Sequence, residues 1–272
     1  MNNFSTSPRE MVSSLIRNKE LVYTLVKREI SSKYRGSILG ILWSFLHPVF
    51  MLAIYTFVFS VVFKARWGSG SESKTEFALV LFAGLIVFNL FAECINRAPS
   101  LILSHANYVK KVVFPLEILP LVALGAALFQ ALVSLSVWLI FYLLIFGIPH
   151  KTVWLFPMIL TPILFITMGF SWLLASLGVY LRDINQLVTI STTVLMFLSP
   201  IFYPISSLPI KYQHFLQLSP LTPAIEGIRD VLFWGNLPGI WTYSLYLVIC
   251  IILSWLGFAW FQKLRTGFAD VL

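Results

Sequence analysis

Four cations stand close together just ahead of the first long apolar run of this chain: Lys27, Arg28, Lys33 and Arg35, in KREISSKYRGS. Cations so placed meet phosphate oxygens directly, and each adds about 1 kcal/mol of attraction to an anionic leaflet. Two further charge pairs fall at helical spacing. Glu93 and Arg97 are four residues apart, in the order that favours an ion pair along one helix, and Glu226 and Arg229 are three apart. Tyr55, Phe59 and Phe63 recur every fourth position and share a helix face. Sugar rings could run along such a face, and so could lipid or a neighbouring helix. Asn107, Tyr108, Lys110 and Lys111, with Val112 and Val113, make a short basic element with apolar surface. Such an element either docks on a partner or simply flanks two spans.

Covalent chemistry finds little support. His47, His105, His150 and His214 are scattered, and there is no HExxH, no CxxC and no pair of carboxylates within a turn. The stretch GSGSESKT at 68–75 resembles a phosphate-binding loop, but Ser73 stands where the glycine before the lysine belongs. No nucleotide site is therefore read here, and no metal site. Cys94 and Cys250 both fall in apolar stretches and read as small buried hydrophobes.

The elements that position these residues are apolar almost throughout. Of 272 residues 58% are hydrophobic and 11% charged, against about 25% charged in a soluble domain, so the bulk belongs in lipid. The net charge of +8 then favours anionic headgroups, and no free basic block with aromatics points to nucleic acid. Six spans are expected, at about 38–63, 77–97, 117–146, 153–181, 187–203 and 240–261, with soft limits on the second and fifth. The first acts as its own insertion signal, since no cleavable leader is read in residues 1–35. With the N-terminus inside, the inner segments carry 13 of the 19 Lys and Arg, which predicts both termini on the cytoplasmic side.

Residues 8–35 show an apolar stripe at helical spacing, Met11, Leu15, Val22, Val26 and Ile30, opposite Arg17, Glu20, Lys27, Arg28 and Ser31. That pattern predicts an amphipathic helix in the interface plane, with residues 1–37 one unit and 38–272 the membrane domain. Gly125, Ala126, Ser171, Ala175 and Gly178 let helices approach closely, whereas the GxxxG of Gly36 and Gly40 is a weak signal. Between the last two spans, prolines cut residues 204–239 into two short pieces, about 210–218 and 224–234, each too short to cross. The fold class is thus an all-α membrane protein with six spans, an interfacial N-terminal helix and two short re-entrant or outer helices.

Four segments together carry a resemblance: KYRGSILGILWSFLHPVFMLAIYTFVFSVVF at 33–63, NYVKKVVFPLEILP at 107–120, YLRDINQL at 180–187 and SPLTPAIEGIRDVLFWG at 219–235. In this order they resemble the membrane subunit of ABC-2 type polysaccharide exporters, the Wzm-like family that exports O antigen, capsule and teichoic acid.

The resemblance implies a homodimer in the cytoplasmic membrane working with two copies of a separate ATPase, which binds ATP and magnesium, so this chain is no enzyme. It implies a coupling element at about 101–113, including Asn107, Tyr108, Lys110 and Lys111. It implies an outer gate at 204–239 with Glu226 and Arg229. The polymer, carried on undecaprenyl diphosphate, would touch Tyr55, Phe59 and Phe63, and the diphosphate would dock on Lys27, Arg28, Lys33 and Arg35. Rival readings are an ABC-2 exporter of a small drug or lipid, a secondary transporter, which should show inverted repeats and mid-span ionisable groups, and a membrane-embedded glycan enzyme.

Overall fold

The computed structural model describes residues 5–62, 67, 74–110 and 114–272, and helices dominate them. Helix α1, Pro8–Arg17, begins where Ser7 Oγ accepts the Glu10 N–H at 3.1 Å, with proline in the first turn. It does not run on to residue 35. The Asn18 amide turns back onto the Ser14 carbonyl at 2.8 Å and breaks the helix, so a separate α2 follows, Lys19–Lys33. Beyond it Gly36 (φ 84°) and Gly40 (φ 51°) both take left-handed backbone, and a Cβ at either would touch nothing. These glycines serve the bend of the chain and not helix contact. Helix α3, Trp43–Tyr55, therefore starts later than the expected Ile38, and it widens into π-helical turns over Thr56–Val62.

Helix α4, Lys74–Ser104, exceeds the expected 77–97 at both ends and passes through Pro99. Proline interrupts a helix by losing an N–H and crowding the preceding turn. Here a later helix backs that turn: a Cβ on its Gly178 would lie 2.0 Å from the Pro99 carbonyl oxygen. Of the most apolar window of α4, 83% is buried, against 17% for the first span, so α4 is the axis of the bundle.

A short α5, Ala106–Lys110, precedes α6, Leu119–Phe146; then come α7, Phe156–Tyr180, and α8, Ile184–Leu198. Two short helices, α9, Ile210–Gln217, and α10, Leu221–Arg229, lead to α11, Ile240–Leu264, and a last turn α12, Phe268–Val271. Helices α7 and α11 touch backbone to backbone, because a Cβ on Gly257 would sit 2.1 Å from the Gly169 carbonyl oxygen. Among the described residues, five helical stretches are long and apolar enough to cross a membrane: Gly40–Phe59, Thr75–Ser104, Leu116–Phe146, Lys151–Tyr180 and Ile240–Val271. Helix α8 is apolar but has 15 residues, ending ahead of Pro200 where the expected span ran to 203.

The helices alternate between two ends. At one end the close of α7 meets the close of α11 through Tyr180 OH to the Leu264 carbonyl, 2.9 Å. At the other end Phe233 meets Tyr142 and Phe146 edge to face.

Candidate functional site

Helix α2 lies on α6, its Val26 filling the space left by Gly125, where a Cβ would come within 2.5 Å of the valine methyl. This seats two charges of α2, Glu29 and Lys33, against two of α4. Lys33 Nζ donates to Glu93 at 2.9 Å, and Arg97 pairs with Glu29. The expected Glu93–Arg97 pair along α4 is thus replaced by two pairs across helices. A pair on one helix is worth only about 0.2–0.5 kcal/mol, and pairing outward neutralises Glu29 as well. Arg28 donates to the Tyr108 hydroxyl at 3.1 Å, linking α2 to α5. Of the four predicted cations, Lys27, Arg28 and Arg35 are exposed, while Lys33 is held by Glu93.

A cavity of about 510 Å³ opens beside the Lys33–Glu93 pair, walled by α3, α4 and α6. Trp43 and Tyr55 supply aromatic surface, and Asn89, Asn96 and Gln130 supply amides. From Phe77 to Phe91 every residue of α4 is buried except Asn89. An amide left facing hydrocarbon without a partner costs roughly 2–7 kcal/mol, so the surface it lines suits water or polar groups. Tyr55 reaches this cavity. Phe59 instead stacks on Phe77 at 5.7 Å and on Phe202 at 5.5 Å, inside the protein, and Phe63 lies outside the described residues.

Below the cavity, one carboxylate joins three distant parts of the chain. That carboxylate is Glu117, 4% exposed. It sits just ahead of α6 and accepts the Ser14 hydroxyl at 2.8 Å and Arg265 Nη1 at 2.5 Å. Arg265 Nη2 also donates to the Phe114 carbonyl at 3.0 Å, and Trp172 Nε1 donates to the Glu117 carbonyl at 2.9 Å. Phe114 in turn stacks on Tyr108 of α5 at 4.4 Å. The predicted docking element is therefore fastened to both terminal segments. Asn107 is exposed, Lys110 closes α5, and Lys111 lies outside the described residues. Ser14 and Arg265 escape a sequence reading: one is a small polar residue within an apolar stripe, the other a positive flank after a span.

At the opposite end Arg229 and Glu226 pair as their spacing predicted, at 2.9 Å. Arg229 is nonetheless 1% exposed. Its guanidinium donates to the carbonyls of Val80 (3.1 Å), Pro200 (2.5 Å) and Ile201 (2.8 Å) and lies 4.2 Å from the Trp67 ring centre. Gly84 makes the room, since a Cβ there would stand 2.9 Å from Arg229 Nη2. Burial lowers the guanidinium pKa to about 10, which leaves it charged at neutral pH, and burial raises that of Glu226 against the opposing pull of Arg229. Helix α10 is no loose flap: Leu221, Ala224, Ile225 and Ile228 are all buried, and Arg229 staples it to α4 and to the end of α8.

Long apolar helices around a cavity that carries amides and a lysine–glutamate pair, with charged junctions at both ends, define a multi-span membrane protein. The chain matches the ABC-2 type transporter family over residues 20–233 and belongs to it. It is similar to the O-antigen export system permease protein RfbA of Myxococcus xanthus, 26% identical over 262 residues, covering 96% of this chain and 98% of that one. The protein of the same name from Klebsiella pneumoniae is 26% identical over 255 residues, 93% and 95% of the two chains. The polysialic acid transport protein KpsM of Escherichia coli is 25% identical over 224 residues, 80% and 83% of the two.

Proposed function

We propose that this chain is the permease subunit of an ATP-binding-cassette exporter that moves a lipid-linked polysaccharide out across the cytoplasmic membrane. The similarity to O-antigen export permeases, near full length in both chains, carries this reading. The subunit works as a homodimer with two copies of a cytoplasmic ATPase, which binds the ATP and magnesium. The open apolar faces of α3 (Phe50, Ile54, Phe57) and α8 (Leu187, Ile190, Phe197) suit a second copy. Six spans fit the alternation of the helices, with α8 running from the Glu117 end toward Ile201 at the Arg229 end. Both termini are cytoplasmic, in keeping with their shared junction at Glu117 and with the charge bias.

In this reading α5 and the residues after it, Asn107 to Lys111, receive the ATPase stroke. The carrier diphosphate docks on Lys27, Arg28 and Arg35, with Lys33, still paired to Glu93, at the edge of the patch. The polymer passes Tyr55, and α9 and α10, held by Glu226 and Arg229, bound its exit. Reconstitution with the cognate ATPase tests the whole: ATP turnover should rise with undecaprenyl-linked glycan and glycan should cross the bilayer. Stimulation by small amphiphiles alone would indicate the drug or lipid exporter instead.

A further inference from the structure

Helix α4 offers one open face, and that face is polar. Asn89, Asn96 and Ser100 are exposed and Glu93 is half-buried on a helix that is otherwise almost wholly enclosed. At 100° per residue these four positions fall within about 60° of arc, and they span about 16 Å along the axis. The Asn89 amide has no partner among the described residues. Asn96 Oδ1 accepts the Thr192 hydroxyl of α8 at 2.9 Å, while Trp43 and Tyr55 of α3 stand on the other side. The stripe is thus a polar track with α3 along one edge and α8 along the other.

We infer that this track, edged by Trp43 and Tyr55, is built for a neutral, hydroxyl-rich glycan and not for a polyanion. The inference rests on the polysaccharide reading above. Amides both donate and accept, so they exchange hydrogen bonds with successive hydroxyls without favouring one repeat position. Aromatic faces at the edge accept the C–H faces of sugar rings. The Lys33–Glu93 pair leaves the cavity wall without net charge, so a polyanion finds no cation to neutralise it there. Phe59 is already stacked on other rings and offers no such surface.

Cysteine accessibility in the full chain, in nanodiscs, tests this. Cys94 and Cys250 are buried and are first replaced by alanine. Asn89→Cys, Asn96→Cys and Ser100→Cys, each checked for a monodisperse elution profile, should then react with a charged, water-soluble thiosulfonate far faster than Ile249→Cys on the outer face of α11. Mannotetraose should slow the reaction severalfold, and a sialic acid tetramer should not. Labelling no faster than at Ile249 overturns the track; equal protection by the sialic acid tetramer overturns the neutral class. In cells, Asn89→Leu should cut glycan export severalfold, and unchanged export overturns the inference. Absence of export by the unmodified chain with its ATPase would instead sink the polysaccharide reading, with the thiol reaction still reporting on the track.

Discussion

Arg265 and Glu117, 148 positions apart, meet at 2.5 Å with side chains 13% and 5% exposed. The pair has its remaining hydrogen bonds supplied by Ser14 and the Phe114 carbonyl, the condition under which a buried ion pair is tolerated. Removing one partner leaves the other charge buried alone, at a cost of about 3–5 kcal/mol. Arg265→Ala and Glu117→Ala should each lower the melting temperature in detergent by several degrees. Glu117→Ala with Arg265→Met should recover much of that loss, because both charges then go. Single variants as stable as the parent would show that the pair carries no weight.

Neutralising Lys27, Arg28, Lys33 and Arg35 together to glutamine should abolish export and the stimulation of ATP turnover by undecaprenyl-linked glycan. Stability should change little, because the Lys33–Glu93 pair is partly exposed and such pairs are worth about 0–1 kcal/mol. Export at the parental rate would remove the diphosphate from this patch.

Tyr108→Ala takes away the stack on Phe114 and the acceptor of Arg28. The protein should stay dimeric and bind its ATPase, while ATP hydrolysis loses its dependence on transport. Normal coupling in this variant, and in one with residues 107–113 replaced by a glycine-serine linker, would place the ATPase contact elsewhere.

Gly178→Leu and Gly257→Leu drive side chains into the Pro99 and Gly169 backbones, where no flexible group can yield. Overpacking of this kind costs typically about 1–3 kcal/mol. A drop in thermal stability is expected for both, and Gly36→Ala should also destabilise, through its left-handed backbone and not through crowding. An unchanged melting curve for Gly257→Leu would mean that α7 and α11 do not lie in backbone contact.

The long apolar runs of α6, α7 and α11 were plain in the sequence, because apolar length alone identifies a helix in lipid. So were the two short pieces between the last spans, since prolines set their limits. Pro99 hides the full length of α4: local preference favours a stop there, while Gly178, 79 residues on, lets another helix back the turn. Glu93 and Arg97 misled in the same way, because near spacing suggested a pair while the true partners come from α2. Tyr55 lines the cavity, and beside it Asn89 carries no sign of its place in the sequence. It looked like a single polar residue in an apolar run, and only the burial of everything around it marks the open face.

The clasp at Glu117 also has a history in time. A ribosome adds about 5–20 residues per second, so Arg265 emerges roughly 7–30 s after Glu117. Throughout that interval Ser14 and Glu117 are already made, while the cation that joins them to the Phe114 carbonyl is not. The nascent chain thus carries this carboxylate without its cation until its last long helix is in place. A chain that loses that helix keeps the carboxylate and never gains its cation.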